Sequence, residues 1–163
     1  MSAGSAVAEA EELGRLLAQQ GLSLAVMESC SGGQLADRIT SLPGCGEYFV
    51  GGVVAYDTEV KKAMGVPGEV VDEFGVISAE TAQAMAGAIR NRFETDLGIG
   101  VTGVAGPEPC DGAPVGRVYI AVEREGAGIV REYNFPDEGL DAVKRMSVDA
   151  AISLALLYLG GAD

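Results

Sequence analysis

Residues 25–33 read AVMESCSGG: an apolar run that stops at a carboxylate, Glu28, followed by Ser29, Cys30 and Ser31 and then by Gly32 and Gly33. Ser23 to Met27 fits a short buried strand. Ser31-Gly-Gly-Gln34 has the S-x-x-Q form of a capping box and predicts a helix running to about Ser41. A buried strand feeding a helix in this way is the repeating step of an α/β sheet.

Upstream, Ala6, Ala10, Leu13, Leu16 and Leu17 recur at helical spacing over residues 5–20, and Gly21 stands where a helix C-terminus favours it. Downstream, LPGCGE (42–47) reads as a turn, and YFVGGVVAY (48–56) as a strand whose glycines mark a bulge or a close approach. Asp57 or Thr58 can cap a short helix through Met64, with Lys61 in its first turn. Pro67 to Phe74 is a second short helical piece ended by Gly75. Ser78 begins a longer helix with Ala82, Met85, Ala86, Ile89 and Phe93 on one face, and DLGIGVT (96–102) returns as a strand.

The following stretch, GVAGPEPCDGAP, is too rich in Gly and Pro for regular structure, and loops of this length are usually functional or disordered. Val115–Glu123 and Ile129–Phe135 flank Glu125-Gly126-Ala127-Gly128, a hairpin signal that forces at least one antiparallel pairing. Asp137–Leu159 is a long helix with Leu140, Val143, Met146, Ala150, Leu154 and Leu157 on one side. The chain therefore reads as one α/β domain over residues 1–163, a mixed sheet with helices on both faces.

The formal charge of −13, with only 11 Lys and Arg, argues against a nucleic-acid groove or an anionic membrane surface as partner. A small anion would need a local pocket of basic side chains and backbone N–H groups. Cys30, Cys45 and Cys110 contain no C-x-x-C pair and suggest neither a disulfide framework nor a zinc site. The N-terminus lacks the pattern of a signal peptide, and no apolar stretch reaches spanning length, so a soluble, cytoplasmic protein is expected.

Three strand ends carry unusual residues: ESCSGG, YDTEVKK and TGVAGP. Ligands of open α/β sheets sit at such ends. Each also has a plain reading. Ser31 fits an N-cap, Cys30 a small buried hydrophobe, and Glu28 either a solvated strand end or the partner of a cation. TGVAGP fits a tight turn as well as a ligand loop. Arg145 fits a snorkelling or ion-paired side chain as well as an anion contact.

A serine needs a base to become a nucleophile, and the absence of histidine excludes every Ser-His and Cys-His arrangement. The remaining bases are a lysine, a carboxylate, a tyrosine or the N-terminal amine, and Lys61 and Lys62 are the lysines best placed to reach the first loop if the first two strands are neighbours. A lysine acting as base near neutrality needs its pKa lowered by roughly three units, about 4 kcal/mol, which only burial or a nearby cation can supply. Amides around Cys30 to Gly33 could then stabilise an oxyanion.

Taken together and in order, AVMESCSGGQLADRITSLPGCGEYFVGGVVAYDTEVKKAMGV, GVISAETAQAMA, GVTGVAGP and PVGRVYIAV resemble the CinA C-terminal domain family, the nicotinamide mononucleotide deamidases. The resemblance implies a three-layer α/β/α sandwich with a mixed, mostly parallel five-stranded sheet. It also implies hydrolysis of nicotinamide mononucleotide to nicotinate mononucleotide and ammonia, in pyridine nucleotide recycling. Ser29 matches the family nucleophile and Lys61 the family lysine. Ser31, Gly32, Gly33, Tyr56, Thr102, Gly103 and Gly106 match site-lining positions, and Arg145 an arginine that would hold the phosphate or ribose side.

No metal or organic cofactor is implied; a homodimer and the stand-alone form of the domain are. Ser31 replaces the family's usual threonine, and EPCDGAP departs from its glycine-rich loop. Two alternatives stay open on the sequence: a nucleotide-binding module without catalysis, and an interaction protein connected with competence or DNA damage.

Overall fold

A computed structural model describes residues 2–160. Five strands, β1 (Leu24–Glu28), β2 (Phe49–Val54), β3 (Leu97–Gly103), β4 (Arg117–Arg124) and β5 (Ala127–Asn134), form one sheet in the order β2-β1-β3-β4-β5. β1 pairs in parallel with β2 and β3, whereas β3–β4 and β4–β5 are antiparallel. The expected α/β fold with a mixed five-stranded sheet is the one observed.

The helices are α1 (Ala3–Gln20), α2 (Gln34–Thr40), α3 (Thr58–Ala63), α4 (Gly68–Phe74), α5 (Ala79–Phe93) and α6 (Leu140–Leu159). Local chemistry sets their ends. Gly21 closes α1 at φ 64°, the left-handed region that a side chain would oppose. The Asp57 carboxylate accepts from the Glu59 N–H to open α3, and the Ser78 hydroxyl accepts from the Thr81 N–H to open α5. α3 is so short that Lys61 lies in its last turn, not the first turn expected from its cap.

β1 is buried along its whole length, as a central parallel strand must be. Its period of two sends Leu24 and Val26 into the larger core with Leu35, Ile39, Ile99 and Ile152, which α1, α2 and α6 cover. Ala25 and Met27 enter the second core with Met85, Ile89 and Val71, under α4 and α5. α5 approaches β3 so closely that a Cβ on Gly98 or Gly100 would collide with the carbonyl oxygens of Ala86 or Ala82.

Two local expectations are corrected. Ser31 caps no helix: α2 begins after Gly33, whose φ is 96°, and no side chain of the S-x-x-Q box bonds to the helix end. The segment after β3 is not wholly irregular. Cys110 and Ala113 exchange both backbone hydrogen bonds, 3.1 and 2.9 Å, around Asp111 and Gly112 with φ of 48° and 75°. Two successive positive φ values define a tight hairpin turn, and Asp-Gly is the dipeptide that accepts it.

No described helix is long and apolar enough to cross a membrane.

Candidate active site

β1 lies between β2 and β3, and the chain leaves it to one side through α2 and returns to the other through α3, α4 and α5. The carboxyl end of β1 is therefore a topological switch point, where two crossovers diverge and leave a crevice. The strand's alternation divides the residues there. Glu28 follows Leu24 and Val26 toward α2, and Ser29 turns to the opposite side, where α3 arrives.

Glu28 is 1 % exposed, and its carboxylate is fully engaged. Oε1 accepts from the Ser31 hydroxyl at 2.7 Å and from the Leu35 N–H at 2.8 Å, and Oε2 accepts from the Ala36 N–H at 3.0 Å. The strand end thus caps α2 by reaching across to free N–H groups of its first turn. Ser31 is a donor in this network. Of the two readings open for Glu28, neither solvent nor a cation holds it.

Ser29 is held by its N–H, which donates to the Val101 carbonyl at 2.9 Å. The Lys61 amine donates to the Ser29 hydroxyl oxygen at 3.1 Å and to the Tyr56 carbonyl at 3.0 Å. Lys61 is only 2 % exposed. Burial pushes its pKa below the ordinary lysine range, against the opposing fields of Asp57, Cys30 and Asp111. A buried amine within bonding reach of a serine hydroxyl, biased toward its neutral form, can take that hydroxyl's proton.

Cys30 is unsuited to that role, because burial pushes its thiol up to about 12. The Gly32 N–H donates to the Ser29 carbonyl at 3.1 Å. Among the described residues no backbone carbonyl takes the N–H of Cys30 or Ser31.

Ser29 and Lys61 open on a cleft of about 520 Å³. Tyr56, Thr102, Gly103 and Gly106 line it too, as do residues not expected at the site from the sequence: Asp57, Thr58, Val76, Ile77, Glu108 and Asp111. The Asp-Gly dipeptide was the available signal for Asp111. Thr102 is anchored by donating its hydroxyl to the Val76 carbonyl at 2.7 Å, so it shapes the wall.

Ser31 is fully buried, Gly32 is exposed and Gly33 half-buried, and none of the three is among the residues that line the cleft. A Cβ on Gly32 would stand 3.0 Å from the Lys144 amine, so Lys144 is the α6 cation that approaches this loop. Arg145 is elsewhere. It lines a separate groove with Arg38, Val7, Met146 and Asp149, where α1, α2 and α6 meet. Val143 and Ser147 occupy the buried stripe of α6, and Arg145, midway between them, projects away from the sheet. Among the described residues no group of three or more His, Cys, Asp or Glu side chains could hold a metal ion.

Residues 7–159 match the model of the CinA C-terminal domain. A CinA-like protein of Citrifermentans bemidjiense is 40 % identical over 154 residues, covering 91 % of this chain and 36 % of the relative. The chain spans about a third of the length of such curated relatives.

Among solved structures, a CinA superfamily protein from Klebsiella pneumoniae superposes with a TM-score of 0.91 at 26 % identity, covering 95 % of this chain and 98 % of that one. The competence/damage inducible protein CihA from Agrobacterium tumefaciens does so at 0.84 and 31 % identity, covering 94 % and 96 %. By the match over nearly its whole length and by these relatives, the chain belongs to the CinA C-terminal domain family.

Proposed function

We propose that the protein is a Ser/Lys amidohydrolase that hydrolyses the carboxamide of nicotinamide mononucleotide to nicotinate mononucleotide and ammonia. The observation that carries this reading is the 3.1 Å contact between a 2 % exposed Lys61 amine and the Ser29 hydroxyl, in a chain without histidine. In the neutral state Lys61 removes the Ser29 proton as the oxygen attacks the amide carbon. The Cys30 N–H, immediately after the nucleophile and without a backbone acceptor among the described residues, is the donor best placed for the oxyanion.

Collapse of the tetrahedral intermediate breaks the C–N bond, and the Lys61 ammonium delivers its proton to the departing nitrogen. Ammonia leaves an ester on Ser29. Water, deprotonated by the same amine, then attacks the ester, and the carboxylate product departs with the serine proton restored. Tyr56 supports the dyad through its backbone carbonyl, which accepts from Lys61 and fixes the amine's direction.

The test is ammonia release from nicotinamide mononucleotide by the wild-type protein and by Ser29→Ala and Lys61→Ala. Loss of at least about 10³-fold in kcat in both variants, with circular dichroism unchanged, is the expected result. Undiminished release from either variant rejects the mechanism.

A further inference from the structure

Three carboxylates with no part in the proton transfer line the cleft that holds Ser29 and Lys61: Asp57, Glu108 and Asp111. Lys61 is the sole lysine or arginine among the described lining residues. When Lys61 is neutral, as a base must be, this wall carries negative charge and no compensating cation. Two of the three carboxylates are held in place. Asp57 accepts from the Glu59 N–H at 2.8 Å, and Asp111 sits in the tight turn closed by Cys110 and Ala113.

The nucleophile marks where a ligand's amide goes. Ser29 is 7 % exposed, lines the same cleft, and among the described residues its hydroxyl has no partner besides Lys61. The fields of Asp57 and Asp111 reach the Lys61 amine, so they also reach a ring attached to an amide at Ser29. By themselves these charges work against the reaction, since they favour the ammonium and oppose a developing oxyanion. A positive charge on the ligand's own ring reverses both effects while drawing the ligand in.

Resting on the amidohydrolase reading, we propose that Asp57, Glu108 and Asp111 make this cleft selective for an amide carried on a cationic ring over an uncharged ring of the same shape. The rim carboxylates are solvent-exposed, so their discrimination is salt-sensitive.

Calorimetric titration of Ser29→Ala protein with 1-methylnicotinamide and with nicotinamide compares one ring and one carboxamide with and without the charge. At low ionic strength the cation is expected to bind about tenfold tighter, and the advantage to shrink as salt is added. In Ser29→Ala protein that also carries Glu108→Gln and Asp111→Asn, the preference should fall to about threefold or less. Asparagine tolerates the φ of 48° at position 111, so the turn is kept.

Equal binding of the two rings, binding of neither, or a preference untouched by the two loop substitutions overturns the proposal. Failure of the amidohydrolase reading has a different signature: selective binding of the cation by Ser29→Ala protein, with no ammonia released by the wild type from nicotinamide mononucleotide.

Discussion

Replacing Glu28 by glutamine changes one oxygen for an amide nitrogen and tests how the reactive loop is held. The carboxylate receives three donors, two on Oε1 and one on Oε2, at 1 % exposure. A glutamine carbonyl can keep Ser31 and Leu35 on the Oε1 side, but its NH₂ then faces the Ala36 N–H, donor against donor. Turning the amide over satisfies the Ala36 N–H and lets the Ser31 hydroxyl accept, but sets the NH₂ against the Leu35 N–H, so one donor pair is unsatisfied in either orientation.

Either way two charge-assisted bonds become neutral ones, a loss of about 1 kcal/mol each, and one buried pair of N–H groups goes unsatisfied, a further 1–3 kcal/mol or so. The sum is about 4 kcal/mol, or a fall in Tm of about 12 °C for a chain of this size. Urea denaturation followed by circular dichroism measures it, with the m-value checking that the same surface is exposed.

Ser31→Ala should cost about 1–1.5 kcal/mol alone and less in the Glu28→Gln background, because the shared bond is already weakened. A Glu28→Gln protein within 1 kcal/mol of wild type would refute the view that this carboxylate, and not the capping box, secures α2.

The pH dependence follows from the lowered pKa of Lys61. Because the base must be neutral, kcat/KM should rise with pH and level off at a value below the ordinary lysine range. Removing the opposing field with Asp111→Asn should move that limb further down; an upward shift or none contradicts the assignment. Stability carries the same sign. Between the folded and unfolded pKa values the unfolded chain binds more protons, so stability rises with pH there, and Lys61→Met should flatten that dependence in denaturation curves.

At Gly98 a methyl group would enter the Ala86 carbonyl, a backbone atom that cannot step aside without moving α5. Gly98→Ala should therefore destabilise by about 3 kcal/mol or more. Gly4→Ala, with nothing within 4 Å of the new atom, should be neutral or stabilising by about 0.5–1 kcal/mol. Similar denaturation midpoints for the two variants would show that the α5–β3 approach is not a tight one.

The elements were largely legible in the residues themselves. Period-two and helical spacings, Gly21, Ser78 and the hairpin glycines specify local geometry through short-range sterics and hydrogen bonds, and the observed boundaries lie within a few residues of those expected. The absence of histidine left a lysine, a carboxylate, a tyrosine or the N-terminal amine as the base for any serine chemistry. Resemblance to a family supplied the pairing of Ser29 with Lys61 and the placing of Arg145 at the site. The geometry joins the first pair, whereas Arg145 lines another groove of this chain.

By itself the sequence determined the kinds of element, the residues available for chemistry and the chemistry they exclude, because these depend on near neighbours and on composition. Only the tertiary structure decided that Glu28 serves α2 while Ser29 faces α3, that burial biases Lys61 toward its free amine, and that Asp111 stands at the mouth of the cleft. Each of those outcomes depends on which strand lies beside which and on how much water the packed layers exclude. Groups far apart along the chain set both, and no local spacing records them.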